Sequence, residues 1–134
     1  MSADAPAPTV WLTLQAHDAR ELIDWLVATL GFEETAVYED DGTVAHAQLS
    51  WPEGGGVMLS DYKPGADWSR QPGTAGAYVV TDHVDELYQR AKTAGARIVC
   101  ELADQEYGNR EFTVTDPEGN LWSFGYYRGE PRKS

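Results

Sequence analysis

The chain has 134 residues, 42% of them hydrophobic and 24% charged, with 10 Lys+Arg against 22 Asp+Glu and a formal net charge of −12. That length leaves no room for two large independent domains, and the composition is that of a globular protein rather than a disordered or fibrous one. The acidic balance, with no cluster of Lys or Arg, argues against nucleic acid and membrane surfaces as partners.

The first residues, 1–7, carry an acid in place of the basic start of a signal peptide and are expected to form a flexible tail. No run approaches the roughly 20 apolar residues of a membrane span, so a cytoplasmic protein is expected. The single cysteine, Cys100, rules out an intramolecular disulfide and a cysteine-rich zinc site, and is read as a small buried hydrophobe.

A first strand is predicted from Thr9 to Gln15, with Val10, Leu12 and Leu14 on one face and Trp11, Thr13 and Gln15 on the other. Asp18 followed by Glu21 resembles a capping box, and Leu22, Trp25, Leu26 and Thr29 continue at helical spacing until Gly31 stops the helix. Three strands follow, Glu33 to Glu39, Thr43 to Leu49 and Val57 to Ser60, separated by Asp40-Asp41-Gly42 and by a Pro-Glu-Gly turn. Tyr62 to Thr74, rich in Pro, Gly and Asp, reads as a linker.

The same order then returns. A strand from Gly76 to Thr81 leads to Asp82 as a helix cap, and Val84, Leu87, Tyr88, Ala91 and Ala94 form a helical stripe closed by Gly95. Strands are predicted at Arg97 to Leu102, Arg110 to Thr115 and Leu121 to Tyr127, before a tail at 128–134. Trp51-Pro-Glu-Gly-Gly55 reappears 65 residues later as Asp116-Pro-Glu-Gly-Asn120. The expected fold is α+β: a βαβββ module at 8–61 and its repeat at 75–127, joined by the linker at 62–74.

One helix covers only one face of each four-stranded sheet, so the other face must be buried elsewhere or serve as a binding surface. Alternation, and for His46 and Gln48 the 65-residue offset from Glu111 and Thr113, places Trp11, Thr13, His46, Gln48, Met58 and Ser60 there in the first module, and Gly76, Tyr78, Glu111, Thr113 and Ser123 in the second.

Paired modules with Asp116-Pro-Glu-Gly-Asn120 before the last strand resemble the vicinal oxygen chelate superfamily, which holds glyoxalase I, extradiol dioxygenases and bleomycin resistance proteins. The resemblance spans about residues 8 to 127 and is most specific in the string from Tyr107 to Gly125. It implies curved mixed sheets and a homodimer, with modules either side by side or exchanged. It also implies a divalent ion in the metal-dependent members, whose ligand positions fall here on Trp11, Met58, Gly76 and Ser123. None of the four is a competent ligand, and His46 with Glu111 are too few for a displaced site, so neither metal nor cofactor is expected.

Trp11 is expected to stack on a planar ligand, Tyr78 to supply a second aromatic wall, and Met58 an adaptable apolar lining. Thr13, Gln48, Ser60, Thr113 and Ser123 would orient the guest through hydrogen bonds. Trp25 and Trp122 read as core, Trp51 and Trp68 as rim or dimer contacts, and His17 and His83 as local residues at helix entries. No Gly-x-Ser-x-Gly elbow is present, and Gly54-Gly55-Gly56 lacks the Lys and helix of a phosphate loop. The expected function is non-catalytic sequestration of a small, planar aromatic natural product by a homodimer. The alternatives are an enzyme of the same superfamily, with an atypical metal site or a His46/Glu111 acid–base pair, and a structural dimer without a cavity.

Overall fold

The computed structural model describes residues 7–133. The expected tail at 1–7 therefore lies outside the described residues except for Ala7, and Ser134 is outside them as well. The chain divides into two compact units, the first ending at Pro72 and the second beginning at Gly73.

In the first unit β1 (Leu12–Ala16) is followed by α1 (Ala19–Trp25), then β2 (Glu33–Asp40), β3 (Thr43–Ser50) and β4 (Gly56–Asp61). The sheet order is β1-β4-β3-β2, with β1 parallel to β4 and the other pairs antiparallel. In the second unit β5 (Gly76–Val80), α2 (Val84–Thr93), β6 (Arg97–Asp104), β7 (Arg110–Thr115) and β8 (Leu121–Gly125) repeat the plan in the order β5-β8-β7-β6. The register repeats too. Leu12 pairs with Val57 and Ala77 with Trp122, while Ala47 pairs with Leu59 and Phe112 with Phe124, each pair 65 residues after its counterpart. The α+β class and the doubled βαβββ unit are thus present as the sequence pattern implies.

Apolar side chains on the helix-facing side bury each core. Leu14, Leu22, Ile23, Leu26, Leu49, Val57 and Leu59 fill the first, and Leu87, Phe112, Val114, Trp122 and Phe124 the second. Phe112 stacks on Phe124 at 5.3 Å between centroids and meets Tyr88 at 5.2 Å.

Asp18 caps α1, accepting from the Glu21 amide at 3.1 Å. The helix then widens into a π-helical segment, Leu26–Leu30, before Gly31 ends it at φ 85°. The helices start 65 residues apart, at Ala19 and Val84, but their closing glycines, Gly31 and Gly95, stand only 64 apart. The first module thus holds one more residue in its helix, and the wider turn absorbs it.

Several local expectations are corrected. Val10 is 84% exposed and precedes β1, because the ladder with β4 begins only at Leu12. Asp82 does not cap α2; the N-cap is His83, and Asp82 pairs with Arg128 at 2.7 Å. Ala94 is exposed, standing just past the last turn of α2. Cys100 is exposed, because β6 is an edge strand whose register slips on both sides of it. Trp25 is only half-buried.

Candidate ligand-binding site

The uncovered face of the first sheet carries a cavity of about 330 Å3 lined by Thr13, Gln15, Ala45, His46, Met58, Leu59, Ser60 and Trp68. The parallel β1–β4 register sets Thr13 beside Met58 and Gln15 beside Ser60. His46 reaches the cavity from β3, its ring stacked near that of Tyr38 on β2, with 6.1 Å between centroids.

Trp68 comes from the linker, and one tertiary bond brings it there. Gln15 is buried on β1, and its Oε1 accepts from the Arg70 backbone amide at 2.9 Å. The loop is also tied within itself, since the Arg70 guanidinium donates to the carbonyls of Asp67 and Ser69. Trp68 is left 56% exposed at the cavity wall. The lining thus joins an indole, a thioether, hydroxyls, an amide and an imidazole, which suits a largely apolar guest needing a few orienting hydrogen bonds.

Of the first module's expected site residues, Thr13, His46, Met58 and Ser60 line this cavity. Trp11 and Gln48 do not. The Trp11 indole covers Gly56, where an added Cβ would stand 2.6 Å from its Cζ3, and Nε1 donates to the Pro8 carbonyl at 3.2 Å. Gln48 sits half-buried between Ala36 and Met58. Trp51, expected at a rim, is buried against Phe32 at 4.9 Å between centroids. The aromatic wall therefore comes from Trp68, and Gln15 positions it. The signal in the sequence was a lone tryptophan in a stretch rich in Pro and Gly.

On the second sheet the equivalent positions are filled. Asn109, 1% exposed, donates from Nδ2 to the hydroxyls of Tyr78 (3.1 Å) and Tyr107 (3.2 Å). Its Oδ1 accepts from the backbone amides of Arg110 (2.9 Å) and Tyr127 (3.0 Å). Tyr78 donates to the Tyr127 carbonyl at 2.7 Å, and Tyr107 donates to Glu111 at 2.6 Å. An alanine Cβ at Gly125 would stand 2.7 Å from the Asn109 amide and 2.9 Å from the Tyr78 hydroxyl, so the cluster requires glycine there. Thr113 and Ser123 share a hydroxyl–hydroxyl bond of 2.7 Å, and Gly76 is exposed.

Burial lifts the Tyr78 phenol above its ordinary range, the hydrogen bond to Glu111 does the same for Tyr107, and that to Glu130 for Tyr127. All three remain neutral near pH 7.

A divalent ion fits neither face. Met58 and Ser123 stand in register with Thr13 and Tyr78, offering a thioether and a hydroxyl already bonded to Thr113. Hard and borderline cations want imidazole or carboxylate. Among the described residues no three His, Cys, Asp or Glu side chains gather as such a site needs.

Two βαβββ units with these open faces match known proteins. Residues 9–124 fit the model of the Glyoxalase/Bleomycin resistance protein/Dioxygenase superfamily, and the chain belongs to that superfamily. It is similar to a bleomycin resistance protein of Geobacillus stearothermophilus, 42% identical over 122 residues that cover 83% of this chain and 90% of that protein. It is 38% identical to an uncharacterized protein of Mycobacterium bovis over 120 residues, 84% of this chain and 78% of the relative. Among solved structures it resembles TioX from Micromonospora sp. ML1, with a TM-score of 0.75 and 32% identity over 89% of this chain and 98% of that one. No helix among the described residues is long and apolar enough to cross a membrane.

Proposed function

We propose that the protein binds and sequesters a small, planar aromatic natural product without transforming it, as a resistance protein. The observation that carries this reading is the cavity of about 330 Å3 whose lining includes both Trp68 and Met58. A flat guest stacks on the indole, the thioether adapts to its edge, and Thr13, Ser60 and His46 supply the orienting hydrogen bonds. Relatedness to a bleomycin resistance protein supports an antibiotic as the guest. The reading includes a cytoplasmic homodimer; Trp11, Gln48, Gly76, Tyr78, Glu111, Thr113 and Ser123 lie off this cavity and would meet the guest only where a partner copy brings their face to it.

Tryptophan quenching and thermal stabilisation across a panel of quinone, polycyclic and glycopeptide antibiotics test it. At least one planar aromatic compound should quench and stabilise, and mass spectrometry should recover it unchanged. Trp68→Ala should weaken that compound up to about tenfold, the size of a lost stacking contact. A chemically altered guest would replace sequestration with catalysis, and an affinity indifferent to Trp68→Ala would remove the stacking wall.

A further inference from the structure

Gln15 is 7% exposed and Ser60 8%, and the parallel β1–β4 ladder makes them neighbours in the lining of the cavity that holds Trp68. The Arg70 backbone N–H fixes which way round the Gln15 amide lies. Its Oε1 accepts that hydrogen at 2.9 Å, and the flipped amide would set one donor against another. The Nε2 end keeps two hydrogens and has no hydrogen-bond partner among the described residues. Neither has the Ser60 hydroxyl. Both atoms remain reachable, since the Ser69 hydroxyl is the sole fully enclosed side-chain polar atom without a partner among those residues. Donors so nearly withdrawn from solvent gain most from an acceptor brought to them.

We infer that Gln15 and Ser60 form a specificity-determining donor pair, and that the guest presents to them a neutral oxygen acceptor of the carbonyl type. Their role rests on the cavity being the guest's site, as proposed above. A ketone, quinone or amide oxygen has two lone pairs and can take one hydrogen from each residue. An ammonium or aromatic N–H finds no acceptor on Gln15, because Arg70 already engages Oε1. An anion is disfavoured as well. No Lys or Arg side chain lines the cavity, the Arg70 guanidinium donates to the carbonyls of Asp67 and Ser69, and the chain carries a net charge of −12. The amide whose oxygen anchors the Trp68 loop thus reads, through its nitrogen, the polar edge of a guest stacked on that indole.

Four bicyclic probes separate the possibilities: chromone carries a ketone oxygen, naphthalene no polar atom, indole a donor and 2-naphthoate an anionic acceptor. Each is titrated into the full chain, and its dissociation constant is read from the NMR shift of the Trp68 indole N–H. Chromone should bind tightest, about tenfold tighter than naphthalene, the net size of one or two neutral hydrogen bonds. Gln15→Glu keeps an acceptor for the Arg70 amide while removing the Nε2 hydrogens. It should erase the preference for chromone and leave naphthalene binding as before. Ser60→Ala, which leaves the bond to Arg70 alone, should lower the preference about threefold. Equal affinities for chromone and naphthalene overturn the donor assignment while leaving the stacking reading in place, and so does a preference unchanged in either variant. Indole or 2-naphthoate binding more tightly than chromone overturns it too. No binding by any of the four overturns it together with the cavity reading beneath it.

Discussion

The two units lay out one backbone register and finish it in opposite ways. Where the first carries Thr13, His46, Met58 and Ser60, the second carries Tyr78, Glu111, Ser123 and Gly125 at the same places in the ladder. On the first sheet these side chains and Trp68 surround a hollow of about 330 Å3. On the second, the phenol of Tyr78 and the buried amide of Asn109 occupy the corresponding region, and the missing side chain at Gly125 admits them. The duplicated fold supplies a surface, and side-chain volume at a few ladder positions decides whether it holds a pocket or a hydrogen-bonded pad.

The repeated turns differ in the same way. Both close with the same backbone bonds, Trp51 amide to Gly55 carbonyl and Asp116 amide to Asn120 carbonyl. In the second, the buried Asp116 carboxylate accepts from the amides of Glu118, Gly119 and Asn120 and from the side chains of Asn120 and Trp122. Asn120 in turn accepts from the Ala75 amide, fastening the entry to β5. In the first, Trp51 replaces the acid and plugs against Phe32. One turn is held by a polar network, the other by packing.

The largest effect should come from Asp116→Ala, which removes the carboxylate from five donors; the Gly119 amide keeps the backbone carbonyl of residue 116, the others lose this acceptor, and the cost is about 5 kcal/mol, enough to unfold the second unit in an equilibrium denaturation series. Trp51→Ala removes a packed ring without stranding so many donors, and should cost about 3 kcal/mol by the same measurement. If the two variants cost the same, the contrast between the turns fails. Gly125→Ala forces a methyl into the Asn109–Tyr78 cluster and should cost about 2 kcal/mol, with the Asn109 side-chain amide signals moving in NMR spectra.

Next in size is a pH effect. Because burial lifts the folded Tyr78 phenol above the ordinary range of a tyrosine, the folded state keeps a proton that the unfolded chain releases. That contribution is complete below the unfolded pKa and is lost as pH rises through the folded one. Unfolding free energy should therefore decline above about pH 10, and Tyr78→Phe should flatten part of the decline. Smallest of all is Gly76→Ala. Its added Cβ would meet nothing nearer than the Leu121 carbonyl at 4.0 Å, so stability should stay within about 0.5 kcal/mol in thermal melts.

Much of the fold was legible because it rests on local chemistry. Asp18 caps, Gly31 and Gly95 stop helices, and alternation in β7 hides Phe112 and Val114 while leaving Glu111 and Thr113 half-buried on the other face. Legibility ended where a neighbour distant in sequence decides. Val10 looked like core by alternation, yet β4 offers no ladder partner before Leu12. Cys100 looked buried by composition, but it lies on an edge strand.

The candidate site divides along the same line. Thr13, His46, Met58 and Ser60 follow from strand parity, since side chains two apart must share a face. Trp68 reaches the cavity through the bond between Gln15 and Arg70, 55 residues apart, and no period in the sequence encodes that. Likewise Asn109 lies outside regular structure until its four bonds organise three tyrosines. By itself, then, the sequence determined the doubled βαβββ plan, the glycines that stop the helices and the parity of the strands, because these depend on residues within a few positions of one another. Only the tertiary structure decided which tryptophan faces the hollow and that the second face is full, because those outcomes depend on long-range hydrogen bonds and on the volume left between side chains.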